Sequence, residues 1–214
     1  MNAHAATDPE ALAVLPDKDF NAFLDSLMFK LYDTVKAQKP SFIVPTLTLY
    51  RRGDYKEPYQ AVSHAVPPTQ DIDQIATMEV LGASAAAEFN DGRIPVAAFL
   101  VTMGQKQTPA IGTELDENQI RESTQEVVLI SGATIDGRIS QAIYVVSRDR
   151  KQNIGKVDLK IYVPSRPQQS EKSVITSPLL AAFYSGYANK YIEVRKEQQS
   201  ADGGPRHGDI ILPS

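Results

Sequence analysis

At 214 residues, with 42% hydrophobic and 22% charged positions, the chain has the length for one substantial core and the composition of a globular protein. Its 22 Lys and Arg against 26 Asp and Glu give a formal charge of -4, which argues against a broad nucleic-acid-binding face, and the absence of cysteine removes disulfides, thiolate metal sites and a Cys nucleophile together. No apolar run approaches the roughly 20 residues that span a bilayer as a helix, and the N-terminus lacks the basic and apolar regions of a signal peptide, so a cytoplasmic location and no membrane partner are expected.

Residues 1–16 are small, Ala-rich and aperiodic, and read as a flexible N-terminal arm. The first helix is expected from Asp17, a candidate N-cap, to about Lys36: Phe20, Phe23, Leu24, Leu27, Met28, Leu31 and Val35 recur at helical spacing and form one apolar stripe. Pro40 stops it, and Lys36 and Lys39 complement the dipole at that end. Phe42 to Arg51 reads as extended, with Pro45 placing its first half at a strand start or a sheet edge, and Tyr59 to Val66 as a weaker second strand.

Pro67-Pro68 and then Thr69 or Asp71 open a second helix reaching about Phe89, with Ile72, Ile75, Met78, Ala86 and Phe89 broadly in phase. Gly82 and the Ala85 to Ala87 run make one of its sides slim enough to lie close against a sheet or another helix. Val96 to Thr102 is a continuous apolar run, as in a strand covered on both faces. The strand–helix–strand order predicts a βαβ unit with Tyr59–Val66 and Val96–Thr102 as parallel neighbours. Gly104 to Arg121 reads as a long, functional or mobile connection.

Two runs rich in β-branched residues, Gln125 to Ile135 and Arg138 to Arg148, flank Asp136-Gly137 and predict a hairpin with a two-residue primed turn. Val157, Leu159, Ile161 and Val163 then alternate with Asp158, Lys160 and Tyr162, the pattern of a strand with one wet face. Ser177-Pro178 opens a third helix carrying Leu180, Phe183, Tyr184, Tyr187 and Tyr191 on its inner side. The fold expected is α+β: a mixed, largely antiparallel sheet of five to six strands with a βαβ unit, packed by three helices. It forms one domain over residues 17–192, with a flexible tail over 193–214.

Residues that carry chemistry are sparse. Only His4, His64 and His207 are histidines, and no catalytic, cofactor-binding or metal-binding motif is present, so no cofactor is expected. Arg148, Arg150 and Lys151 gather cations on one hairpin end, a candidate anion site because arginine offers a bidentate fork. Ile210, Ile211 and Leu212 end the polar tail with an apolar segment suited to adding a strand to a sheet edge. The reading that follows is a non-enzymatic interaction or assembly protein, a homo-oligomer or a binder of a protein partner, with nucleic acid unlikely. The alternative is a small enzyme or ligand-binding domain that uses the 104–121 loop as a lid.

Overall fold

In the computed structural model the described residues are 15–52, 58–67, 71–88, 95–107, 124–134, 136–167 and 178–201. Three helices, α1 (Asp17–Gln38), α2 (Asp71–Glu88) and α3 (Pro178–Ala201), accompany six strands. These are β1 (Thr46–Arg52), β2 (Tyr59–Ala65), β3 (Pro95–Gln107), β4 (Thr124–Thr134), β5 (Arg138–Arg148) and β6 (Ile154–Pro167). The strands form one sheet in the order β2-β1-β3-β4-β5-β6, and every neighbouring pair is antiparallel, so the fold is α+β.

Helix α1 covers one face of this sheet. Its buried stripe of Phe20, Leu24, Leu27, Leu31 and Val35 meets Tyr50, Phe99, Val128, Ile130, Tyr144, Ile154 and Val157. Phe23 stacks on Tyr50 with ring centroids 3.9 Å apart, and Tyr59 closes the cluster edge-on. On the other face α2 and α3 pack against β1 and β3, around Leu47, Leu49, Ala98 and Leu100. The slim side of α2 is spent here. A Cβ on Gly82 would lie 2.8 Å from the Tyr187 nitrogen, and one on Gly186 would lie 2.7 Å from the Glu79 carbonyl carbon, so the two helices cross backbone against backbone. Met78, Ala85 and Ala86 fill that seam, whereas Ile75, expected in the stripe, is exposed.

Several expectations are revised. The β2–α2–β3 passage does join two strands running the same way, but they are not neighbours: β1 lies between them and pairs with both. Leu47 and Leu49 face α2 and α3, while Thr48 and Tyr50 point the other way and are also buried, which suits an interior strand. The Pro45-bearing strand is therefore no edge; β2 covers it, and Pro45 itself stands one residue before β1, its carbonyl accepting from Val66 N–H.

The β4–β5 hairpin forms, but with a longer turn than expected: Gly137 N–H bonds the Thr134 carbonyl, and Gly137 sits at positive φ (82°) while Asp136 does not. Arg138 N–H bonds the Thr134 hydroxyl, closing a loop whose glycine takes the left-handed position. Leu15 of the expected arm is 1% exposed and belongs to the core. Gly104 to Gln107 extend β3 rather than open a loop, and α3 runs on through the charged stretch to Ala201. The rest of the arm, the 108–121 part of the long connection and the Ile210, Ile211, Leu212 segment lie outside the described residues.

Candidate interaction surface

Strand β6 is one end of the sheet, 14 residues long and, among the described residues, paired on its inner side only. Its register against β5 shifts between Ile143/Ile161 and Tyr144/Leu159, which leaves Lys160 as an extra residue. A one-residue bulge reverses the side-chain phase of everything beyond it. The simple alternation expected from the sequence therefore breaks at Lys160. Val157 and Leu159 face α1 together with Tyr162, while Ile161 turns to the opposite face with Asp158.

Helix α1 is strapped along β6 from end to end. Asp17, in the first turn rather than at the N-cap, accepts from the Ser165 hydroxyl and from Arg138, each at 2.6 Å. These bonds, that from Ser165 first, hold its carboxyl below the ordinary carboxylate range. Asn21 accepts from Ser165 N–H at 2.7 Å, Asp25 accepts from the Tyr162 hydroxyl at 3.3 Å, and at the far end Ile154 N–H bonds the Pro40 carbonyl. Burial, with Asp25 and Tyr32 nearby, pushes the Tyr144 hydroxyl up to about 12, so this tyrosine stays protonated at neutral pH.

What this strapping leaves outside is apolar. Tyr32 (49% exposed), Leu159 (46%) and Tyr162 (41%) line the α1–β6 junction, and Phe29 (69%), one turn from Asp25 and three residues from Tyr32, extends it onto the outer side of α1. Exposed aromatics grouped beside an unpaired strand are a feature of docking surfaces, whereas scattered ones are ordinary. At one end Tyr32, Lys36, Lys39, Lys156 and Val157 line a groove of about 180 Å³.

The candidate anion site resolves differently. Arg148 makes a fork with Glu126, Nε to Oε2 at 2.6 Å and Nη2 to Oε1 at 2.9 Å, and its Nη1 donates to the Ser41 and Gln152 carbonyls. The hydrogen bonds from Arg148 hold the Glu126 carboxyl below its usual range. This guanidinium is thus committed to tying the β5 end to the α1–β1 connection. Arg150 and Lys151 are exposed in the turn after it, whose shape is set by Asp149 accepting from Lys151 and Asn153 N–H groups.

On the other flank of α1 lies a cleft of about 240 Å³ lined by Leu27, Leu31, Ile43, Val44 and Val101, with Lys30 as its one titratable group. It is smaller than ordinary ligand pockets of about 300–1,000 Å³ and lacks an acid–base pair. Among the described residues no three His, Asp or Glu side chains come together to hold a metal, and no helix is long and apolar enough to cross a membrane. His64 stands half-buried on β2 opposite Leu47. Sequence reasoning missed Phe29 and Tyr32. Their signal was two aromatics lying outside the helical stripe that the core uses.

No family model, curated protein or solved structure matches the chain.

Proposed function

We propose that the chain is a non-enzymatic assembly protein, a homo-oligomer that associates through the α1–β6 surface. The observation that carries this reading is the grouping of Phe29, Tyr32, Leu159 and Tyr162, all exposed, beside a strand whose outer side no described residue pairs with. Burying four such side chains removes enough apolar area to offset part of the entropy lost on association. The small-enzyme alternative has less support: of the two described clefts beside α1, the larger is small and carries a single titratable side chain, and the other offers only lysines and a tyrosine.

The test is sedimentation velocity from about 1 to 200 μM on the wild type and on a Tyr32→Asp, Leu159→Asp variant. Both positions are exposed, so the variant keeps its fold. Concentration-dependent association that the variant weakens at least tenfold supports the reading. A wild type that stays monomeric to 200 μM overturns the homo-oligomer, and association indifferent to the two substitutions overturns the surface.

A further inference from the structure

The two ends of the sheet are built differently. The β6 end carries Lys156, Asp158 and Lys160, pairs Lys156 with Asp158 at 2.6 Å, and has register shifts at three places along β5. Charges and bulges of this kind are how a sheet end is kept from pairing with another chain through its backbone. The β2 end has none of them. Tyr59-Gln-Ala-Val-Ser-His-Ala65 holds no Asp, Glu, Lys, Arg or Pro, and all seven of its residues pair with β1 in one unbroken register. Seven residues is longer than an ordinary strand, so shortness does not protect it either. Among the described residues nothing pairs with its outer side.

We infer that the β2 edge pairs antiparallel with the β2 edge of a second copy of this chain, about a two-fold axis through Val62. The strand is complementary to itself in that register. Tyr59 meets the second copy's Ala65, Gln60 meets its His64, Ala61 meets its Ser63, and Val62 meets Val62. Each large side chain faces a small one and each long polar side chain a polar one, and because the strand holds no carboxylate or ammonium no like charges are opposed. Ala61, Ser63 and Ala65 are exposed and small, so among the described residues none of these three side chains blocks the approach. The product is a single twelve-stranded sheet, twice the six strands of one copy. Seven residue pairs bury less than the roughly 1,200 Å² of a standard interface, so this contact alone holds in the micromolar range. The inference rests on the reading of the chain as an assembly protein, but uses the opposite end of the sheet from the α1–β6 surface.

The chain has no cysteine, so one introduced thiol is a clean reporter. Residues directly opposite in an antiparallel pair have Cα atoms about 4.5–5.5 Å apart, within disulfide reach. Under mild oxidation at about 50 μM, Val62→Cys is expected to give a covalent dimer at least tenfold faster than Lys160→Cys on the guarded end. Two further variants at exposed positions read the register. Ala61→Lys with Ser63→Lys opposes like charges twice and should weaken the dimer more than tenfold, whereas Ala61→Lys with Ser63→Glu opposes unlike charges and should bind at least as tightly as wild type. Equal crosslinking of the two cysteine variants, or equal effects of the two charge pairs, overturns the inference. If association persists and responds only to Tyr32→Asp with Leu159→Asp, the β2 pairing fails and the α1–β6 surface stands. A wild type that neither sediments as an oligomer nor crosslinks at position 62 overturns both.

Discussion

Substituting Gly186 by Ala sets two effects of opposite sign against each other at the α2–α3 crossing. Alanine in a helix interior is favoured over glycine by about 1 kcal/mol, so an uncrowded site would gain stability. Here the new Cβ would lie 2.7 Å from the Glu79 carbonyl carbon and 2.8 Å from its Cα, with the carbonyl oxygen closer still. These are backbone atoms and cannot rotate aside, so the helices must part by about 1 Å. A gap of that order forfeits roughly a quarter to a half of each dispersion contact along the seam. That seam holds Met78, Ala85, Ala86, Leu180, Phe183 and Tyr187. Overpacking of this kind costs about 2–4 kcal/mol, and subtracting the helix-propensity gain leaves a net loss of about 1–3 kcal/mol. For a chain of this size the melting midpoint should fall by about 2–12 °C. Differential scanning calorimetry measures it, with Ser185→Ala on the exposed side of the same helix as the control that should change little. A Gly186→Ala protein that melts above wild type would mean that propensity won and that α2 and α3 do not touch here.

Gly137→Val should destabilise by about 1–2 kcal/mol, because a β-branched residue resists the positive φ that Gly137 holds; an unchanged chemical-denaturation midpoint refutes the turn geometry. Arg148→Ala releases the Glu126 fork and two backbone carbonyls at once and should cost about 1–3 kcal/mol in the same assay. Glu126 and Asp17 both have folded pKa values below their ordinary ones, so the stability they contribute is complete above the ordinary carboxylate range and is lost as pH falls through the folded values. Glu126→Gln should therefore lower the midpoint at pH 7 and flatten its decline in acid; an acid branch identical to wild type would show that the pair contributes nothing.

What was legible in the sequence was periodicity. The stripe from Phe20 to Val35 and the aromatic side of α3 put helices where they are, and the two β-branched runs around Asp136-Gly137 gave the hairpin. Gly82 and the Ala-rich run also announced a close helix approach, though not that the partner would be Gly186 of α3. The phase of β6 was hidden because a bulge inserts one residue without a composition of its own: Lys160 looks like any wet-face lysine. Pro45, which cannot donate, left a strand start and a sheet edge both open; it stands one residue before the strand, where no donor is needed, and the edge reading is the one that fails. The Arg148–Glu126 pair could have been found by folding the hairpin on paper, since Val127 faces Val145 and Glu126 then falls on the diagonal to Arg148. The exposed aromatics of α1 were equally open to view, because Phe29 and Tyr32 lie off the helical stripe that the core uses.

The strapping of α1 to the far end of the sheet has a consequence during synthesis. The residues that hold it are its most distant in sequence: Asp17 bonds Arg138 and Ser165 across 121 and 148 positions, and Asp25 meets Tyr162 across 137. At roughly 5–20 residues per second, α1 leaves the ribosome about 6–30 s before the β5 and β6 residues that strap it exist. During that interval Phe20, Leu24, Leu27, Leu31 and Val35 have only the earlier strands to meet, Tyr50 of β1 and Phe99 of β3 first. The nascent chain therefore presents an incompletely covered amphipathic helix, the kind of segment that chaperones bind, until β6, the last strand to be made, completes its docking.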